Sequence, residues 1–294
     1  MIGTQLTDVL VRRGYQVAHL ERSRREHGSV KVYTWDIDKQ YIEPGALENI
    51  GAIVHLAGAG IADKRWTKSR KNEILESRTR STQLLHHELG RRKHQVRTFV
   101  CASAIGYYGI HCKDEIHTEQ SEPGNDFLAD VTKRWEREAD AIKQLGIRVV
   151  KLRTGIVLSE KGGALAQMVR PIKFYVGAPL GSGDQYMSWV HIDDHCGLFV
   201  KAIEDTHWEG AYNSVAPAPV PVTNKEFTVS VGEVLKKPIL LPCIPAFVLK
   251  LVLGEMSDIV LHGCYVSAEK VLGSGYEFKF TTLKDALQNV LIRK

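Results

Sequence analysis

No apolar run in this 294-residue chain approaches the roughly 20 residues that a membrane span needs, so no membrane partner is expected. The start, Met1-Ile2-Gly3-Thr4, lacks the basic and apolar regions of a secretory signal. Five cysteines (Cys101, Cys112, Cys196, Cys243, Cys264) are odd in number, scattered and without a C-x-x-C pair. They read as reduced thiols of a cytoplasmic protein, not as a disulfide frame or zinc site. Twelve histidines also lack ligand spacing, and no metal site is expected. The net charge of +5 is spread along the chain, and nothing reads as a nucleic-acid module. Repeats and low-complexity segments are absent as well.

What is present is an ordinary globular composition, 44% apolar and 25% charged, which supports one sizeable core. Apolar spacing predicts a helix over Thr4–Arg13 that stops at Gly14, then strands over Gln16–Leu20, Val30–Trp35 and Ala52–Leu56. A long helix follows over Lys68–Gly90, a strand at Thr98–Cys101, a helix over Asp126–Leu145 and a strand at Arg148–Leu152. Short, continuously apolar strands alternating with helices imply a parallel sheet covered on both faces. That is the doubly wound, Rossmann-like architecture, whose ligand site lies at the strand C-terminal ends.

Beyond Leu158 the pattern loosens. A helix is expected from Gly162-Gly163 to about Val176, then a Gly/Pro loop over 177–183 and a linker at Pro217–Pro221. A further helix over Thr223–Leu235 has Thr223 or Asn224 as N-cap, and Asp193 is expected to cap the helix that follows His191. Short helices and a strand at Tyr276–Phe280 complete a small lobe. The expected division is 1–160 for the nucleotide-binding domain, 161–243 for a substrate-side lobe interwoven with it, and 244–294 for a small C-terminal domain.

A dinucleotide fold normally opens with a strand, a glycine-rich loop and a helix, so that backbone N–H groups can approach a pyrophosphate. Here only Ile2-Gly3 precedes the first helix, and the first strand and earlier glycines are missing. The second strand is followed by Glu21-Arg22-Ser23-Arg24-Arg25. Arginines at this place accommodate a 2′-phosphate, so Arg22 and Arg24 point to NADP(H), with Glu21 as a counter-signal. Leu56-Ala57-Gly58-Ala59-Gly60 ends a strand with small residues that let backbone pass close to a cofactor, although a plain tight turn would read the same. Ser103, with Tyr107 and Tyr108 in the same loop, could polarise a substrate oxygen; on residue type alone Ser103 could equally be a turn residue. Trp66, Tyr186 and Trp189 are candidates for a substrate wall or for core.

Several motifs in order carry a resemblance. They are Leu56-Ala57-Gly58, Ala62–Thr67, Ser77-Arg78, Ser103–Gly109, Arg153–Leu158, Pro179–Tyr186 and Trp189–Asp194. Together they resemble the sugar-nucleotide epimerase family of atypical extended short-chain dehydrogenases/reductases, and the segment from about Ile244 resembles that family's C-terminal domain of unassigned function. The resemblance implies an NADP-binding Rossmann fold with a cytosolic setting and a small-molecule substrate, and it leaves a homodimer open. It implies roles for Gly3 as the last fingerprint glycine, Arg22 at the 2′-phosphate, Leu56, Ala57 and Gly58 beside adenosine and pyrophosphate, Ser103 in the active site, and Arg153 at the strand end near the nicotinamide.

Two departures stand out. The glycine loop is nearly all missing, and an upstream stretch restoring it is expected to stabilise the sheet. The superfamily's Y-x-x-x-K pair, in which lysine lowers the tyrosine pKa, is also absent. Pairing Lys133 back four places meets Ala129, and pairing Arg134 meets Asp130. The leading expectation is an NADP(H)-dependent oxidoreductase or epimerase-like enzyme acting on a carbonyl or nucleotide-sugar. The alternative is a degenerate, non-catalytic nucleotide-binding or structural protein.

Overall fold

The computed structural model describes residues 1–23, 28, 30–110, 115–217 and 222–292. Arg24, and residues 218–221 of the expected linker, lie outside the described residues.

The chain opens with helix α1 (Ile2–Arg12), followed by β1 (Ala18–Glu21), β2 (Lys31–Asp36), β3 (Tyr41–Ile42) and β4 (Ala52–His55). Then come α2 (Lys68–Arg91), β5 (Thr98–Ala104), a 3-10 turn (Ile105–Tyr108), β6 (Ile116–His117), α3 (Phe127–Ala141), β7 (Arg148–Thr154) and β8 (Ile156–Leu158). The second half holds α4 (Gly163–Lys173), β9 (Trp189–His191), α5 (Ile192–Glu204), β10 (Gly210–Ser214) and α6 (Asn224–Val234). The C-terminal lobe contains α7 (Ala246–Leu253), α8 (Asp258–Leu261), β11 (Tyr265–Val266), α9 (Glu269–Gly273) and α10 (Leu283–Leu291).

The central sheet is split. Four parallel strands run in the order β10-β7-β5-β4, and β1 pairs in parallel with β2, which carries β3 antiparallel on its far side. Among the described residues no strand pairs with the outer edge of β1 or of β4. Both edges nevertheless belong to shared cores. On one face Leu6 and Leu10 of α1 and Phe199 of α5 pack with Val54 and Val100, and Val17, just before β1, joins them. On the other, Leu84, Leu85 and Leu89 of α2 and Trp135 of α3 pack with Leu20, Ile53 and Phe99. The chain therefore has a Rossmann-like doubly wound α/β fold with a small mixed C-terminal lobe.

Five expectations are corrected. Gly3 lies inside the first turn of α1, which starts at Ile2. The helix from Gly163 stops at Lys173, because Tyr175 takes φ +62 and turns the chain out of the helix. The cap of α5 is His191, whose Nδ1 accepts from the Asp193 N–H, while Asp193 sits in the first turn. Tyr276–Phe280 is not a strand: the backbone amides of Lys279 and Phe280 donate to the buried Asp194 carboxylate, so they have no ladder to join. Cys264 is disulfide-bonded rather than a free thiol, a state that cysteine count and spacing do not reveal. Cys101, Cys196 and Cys243 are free, and Cys112 lies outside the described residues. Thr223 does cap α6, in a reciprocal capping box with Glu226.

Candidate functional site

Parallel pairing brings the C-terminal ends of all the long strands to one rim of the sheet. Beyond β1 and β2, this rim and the N-terminal half of α2 enclose a groove of about 950 Å³. Arg22, Asp36, Ile37, Ser77 and Arg80 line it. The groove's carboxylates are largely spoken for. Asp36 accepts from the backbone amides of Asp38 and Lys39, and the Lys39 amide is the main reason its carboxyl is held low. Arg80 pairs with Asp38 at 2.9 Å, and Glu73 is held low by its hydrogen bond from Arg70. Arg22 is exposed and has no ion-pair partner among the described residues. Asp36 and Ile37 were missed by sequence reasoning. Their signal was an acid ending an apolar strand at the ligand rim.

The segment after β4 has no ladder partner, so side chains of α2 satisfy its backbone groups. Ser77 Oγ accepts from the Ala59 amide, Arg78 Nη1 donates to the Ala59 carbonyl, and Arg70 Nη2 donates to the Gly60 carbonyl. Gly58 and Arg78 are closely packed: a Cβ at Gly58 would lie 2.9 Å from the guanidinium carbon, and the tip of the arginine would have to shift. Gly3 belongs to the same corner, where a Cβ would meet the Leu56 side chain at 3.6 Å. Gly3, Leu56, Ala57 and Gly58 thus converge, whereas Arg22 stands in the neighbouring groove.

A third cluster is built by register. Ser103 on β5 faces Arg153 on β7, which faces Asn213 on β10. Glu136 reaches them from α3. Ser103 Oγ donates to Glu136 Oε1 at 2.6 Å, and Arg153 grips both Glu136 oxygens through Nε at 2.9 Å and Nη2 at 3.0 Å. Arg153 Nη1 donates to the Tyr108 hydroxyl, which donates to Asn213 Oδ1 at 2.6 Å. Ser103, Tyr108 and Arg153 are each no more than 4% exposed. Burial pushes the Tyr108 phenol up to about 12, although Arg153 and Asn213 pull the other way. Burial by itself would lower Arg153, but the Glu136 carboxylate outweighs it and holds the guanidinium firmly charged. Tyr107 is different. It is half-buried, its ring lies 3.4 Å from the Arg153 guanidinium, and its hydroxyl makes no hydrogen bond among the described residues.

The helix behind this loop offers no tyrosine–lysine pair. Ala129 is fully buried, and Lys133 Nζ donates to the Gly124 carbonyl. Against Gly106 stand Leu128 and Thr132, one turn apart. Trp66 packs edge-on to Phe127 and donates to the Ile61 carbonyl. Tyr186 and Trp189 line a cavity of only about 10 Å³, room for roughly one water.

Residues 1–213 match the profile of the NAD dependent epimerase/dehydratase family. The chain belongs to that family. Residues 244–290 match a domain of unknown function, DUF1731. Epimerase family protein YfhF of Bacillus subtilis is 34% identical, over 99% of this chain and 94% of its own length. Human epimerase family protein SDR39U1 (isoform2), solved with NADPH, superposes with a TM-score of 0.88 at 31% identity, covering 99% of this chain and 95% of that one. A nucleoside-diphosphate sugar epimerase from Corynebacterium glutamicum superposes with a TM-score of 0.77 at 29% identity, and 99% of this chain covers 56% of it.

Proposed function

We propose that the protein is an NADP(H)-dependent oxidoreductase or epimerase acting on a carbonyl or nucleotide-sugar substrate. The carrying observation is Arg22, a cation with no ion-pair partner among the described residues, lining a groove at the strand ends. The groove's size falls within the roughly 300–1,000 Å³ of small-molecule sites. The NADPH in the SDR39U1 structure supports the same reading. Arg22 would hold the 2′-phosphate, Asp36 and Ile37 the adenosine end, and the Leu56–Gly58 backbone the sugar-phosphate stretch. When bound, the nicotinamide supplies hydride transfer. Tyr107 is then the phenol free to exchange a proton with a substrate oxygen, and the Ser103–Glu136–Arg153 network fixes the loop that carries it.

Titration followed by NADPH fluorescence, with NADH in parallel, tests the cofactor. The wild type is expected to prefer NADPH, and Arg22→Gln to lose about tenfold for NADPH while NADH binding stays unchanged; no binding of either cofactor at millimolar concentration refutes the reading. Tyr107→Phe should lower turnover by roughly 10²–10⁴, and Tyr108→Phe should chiefly cost stability. A second reading, a cofactor-binding protein without catalysis, is favoured by the locked Ser103 and Tyr108 and by Ala129. Turnover of any member of a carbonyl panel decides against it. A cytoplasmic setting is part of the first reading, and a bonded Cys264 pulls against it. Thiol titration of unfolded protein without reductant, showing five free thiols, would uphold that setting.

A further inference from the structure

Two arginines on α2 reach the loop after β4 in different electrostatic circumstances. Arg70 is paired with Glu73 at 2.6 Å and Asp63 at 3.6 Å. Arg78, two turns on, has no carboxylate within ion-pair distance among the described residues. Its Nη1 is used on the Ala59 and Ile74 carbonyls. The remaining edge, Nε with Nη2, donates to nothing among the described residues, and neither nitrogen is a sealed, unsatisfied atom. That edge is the planar fork that grips carboxylates and phosphates with two parallel hydrogen bonds. The guanidinium lies face-on to Gly58, an exposed residue at which a Cβ would stand 2.9 Å from the guanidinium carbon and 3.2 Å from Nε and Nη1, so the missing side chain leaves the space beside the guanidinium unfilled. Burial, helped by the positive charge of Arg70, pulls Arg78 down to about 10, as expected of a cation still lacking its anion. Gly3, in the first turn of α1, stands beside the Leu56 side chain, two residues before Gly58.

We propose that Arg78 is a phosphate-binding residue whose Nε–Nη2 edge grips a diphosphate beside Gly58. This rests on the dinucleotide reading above and assigns the diphosphate a cation separate from Arg22. The division of labour predicts a crossed pattern in the full chain. Arg78→Gln should weaken ADP binding about 10- to 100-fold and leave adenosine 2′-monophosphate unchanged. Arg22→Gln should do the reverse. NADPH and NADH should lose equally in Arg78→Gln. Arg78→Lys, which keeps the charge and loses the fork, should fall between wild type and Arg78→Gln for ADP, and it serves as the assay should Arg78→Gln fail to fold. Wild type that binds ADP and Arg78 variants that bind it equally well overturn this inference and leave the cofactor reading standing. Equal loss of both nucleotides in the Arg78 variants makes the arginine a loop clamp and also overturns it. Wild type that binds neither NADPH nor ADP overturns the cofactor reading itself.

Discussion

Strands β4 and β5 are neighbours with similar apolar sequences, Ala52-Ile53-Val54-His55 and Thr98-Phe99-Val100-Cys101, yet their environments differ. Every one of those four β5 residues is buried, whereas Ala52, Ile53 and Val54 of β4 remain half-exposed. The difference lies in the neighbours. β5 is paired on both sides, and β4 on one. The same holds across the opening for β1, which is half-exposed throughout. An apolar strand is thus protected by its flanking strands as much as by the helices above and below. Unpaired edges also invite association with other chains.

Filling the opening is the strongest way to break this comparison. An apolar strand and glycine turn fused ahead of Met1 would complete the burial of Ile53 and Val54, side chains worth roughly 2–5 kcal/mol each when fully packed. The melting temperature should rise by about 10 °C. Equal melting points for the two lengths would show that the open edges cost nothing.

The next effect contrasts the closed side of the sheet with the open one. Glu136→Ala would strand Arg153 as a buried charge with its main partner gone, at a cost of roughly 3–5 kcal/mol in urea denaturation. Arg80→Ala, at the groove beside β2, removes an exposed pair worth less than about 1 kcal/mol. Similar losses at the two sites would erase the distinction.

A smaller effect is set by pH. His55 on β4 is pushed down to about 4 by burial, with Arg78 adding to it, and His195 on α5 is pushed down to about 3 by burial. Both folded values lie below the ordinary 6.5, so both rings are held neutral. Their stabilisation is present above pH 6.5 and is lost as pH falls from 6.5 towards 4 for His55 and 3 for His195, on the order of 3 kcal/mol each by pH 4. His195→Asn, which can keep the contact to Ser214, should flatten part of that slope in denaturation measured from pH 7 to pH 4. An unchanged slope would mean that the ring is not held neutral.

Much of the fold could be read along the chain. The alternation of helix and strand, the N-cap Thr223 and the ligand rim follow from local periodicity and short motifs. The site was legible only in parts. Arg22 and Gly58 stand at strand ends that periodicity marks. Glu136 has no local signal, because it meets Ser103 and Arg153 across 33 and 17 residues. Asp36 and Arg78 needed the placement of α2 over two separate strand ends, and the role of His191 as cap needed the actual first turn of α5.

By itself, then, the sequence determined the alternation of helix and strand up to Leu152, the parallel character of the sheet and the absence of a tyrosine–lysine pair at 129 and 133, because these depend on residue type and short spacing. The tertiary structure alone decided which polar groups are locked and which are free. Ser103, Tyr108 and Arg153 join one network with Glu136 inside the protein, while Arg22 has no ion-pair partner, and the outer edge of Arg78 and the Tyr107 hydroxyl no hydrogen-bond partner, among the described residues. Hydrogen bonding and burial are set by contacts between distant segments, and no pattern confined to neighbouring residues carries that information.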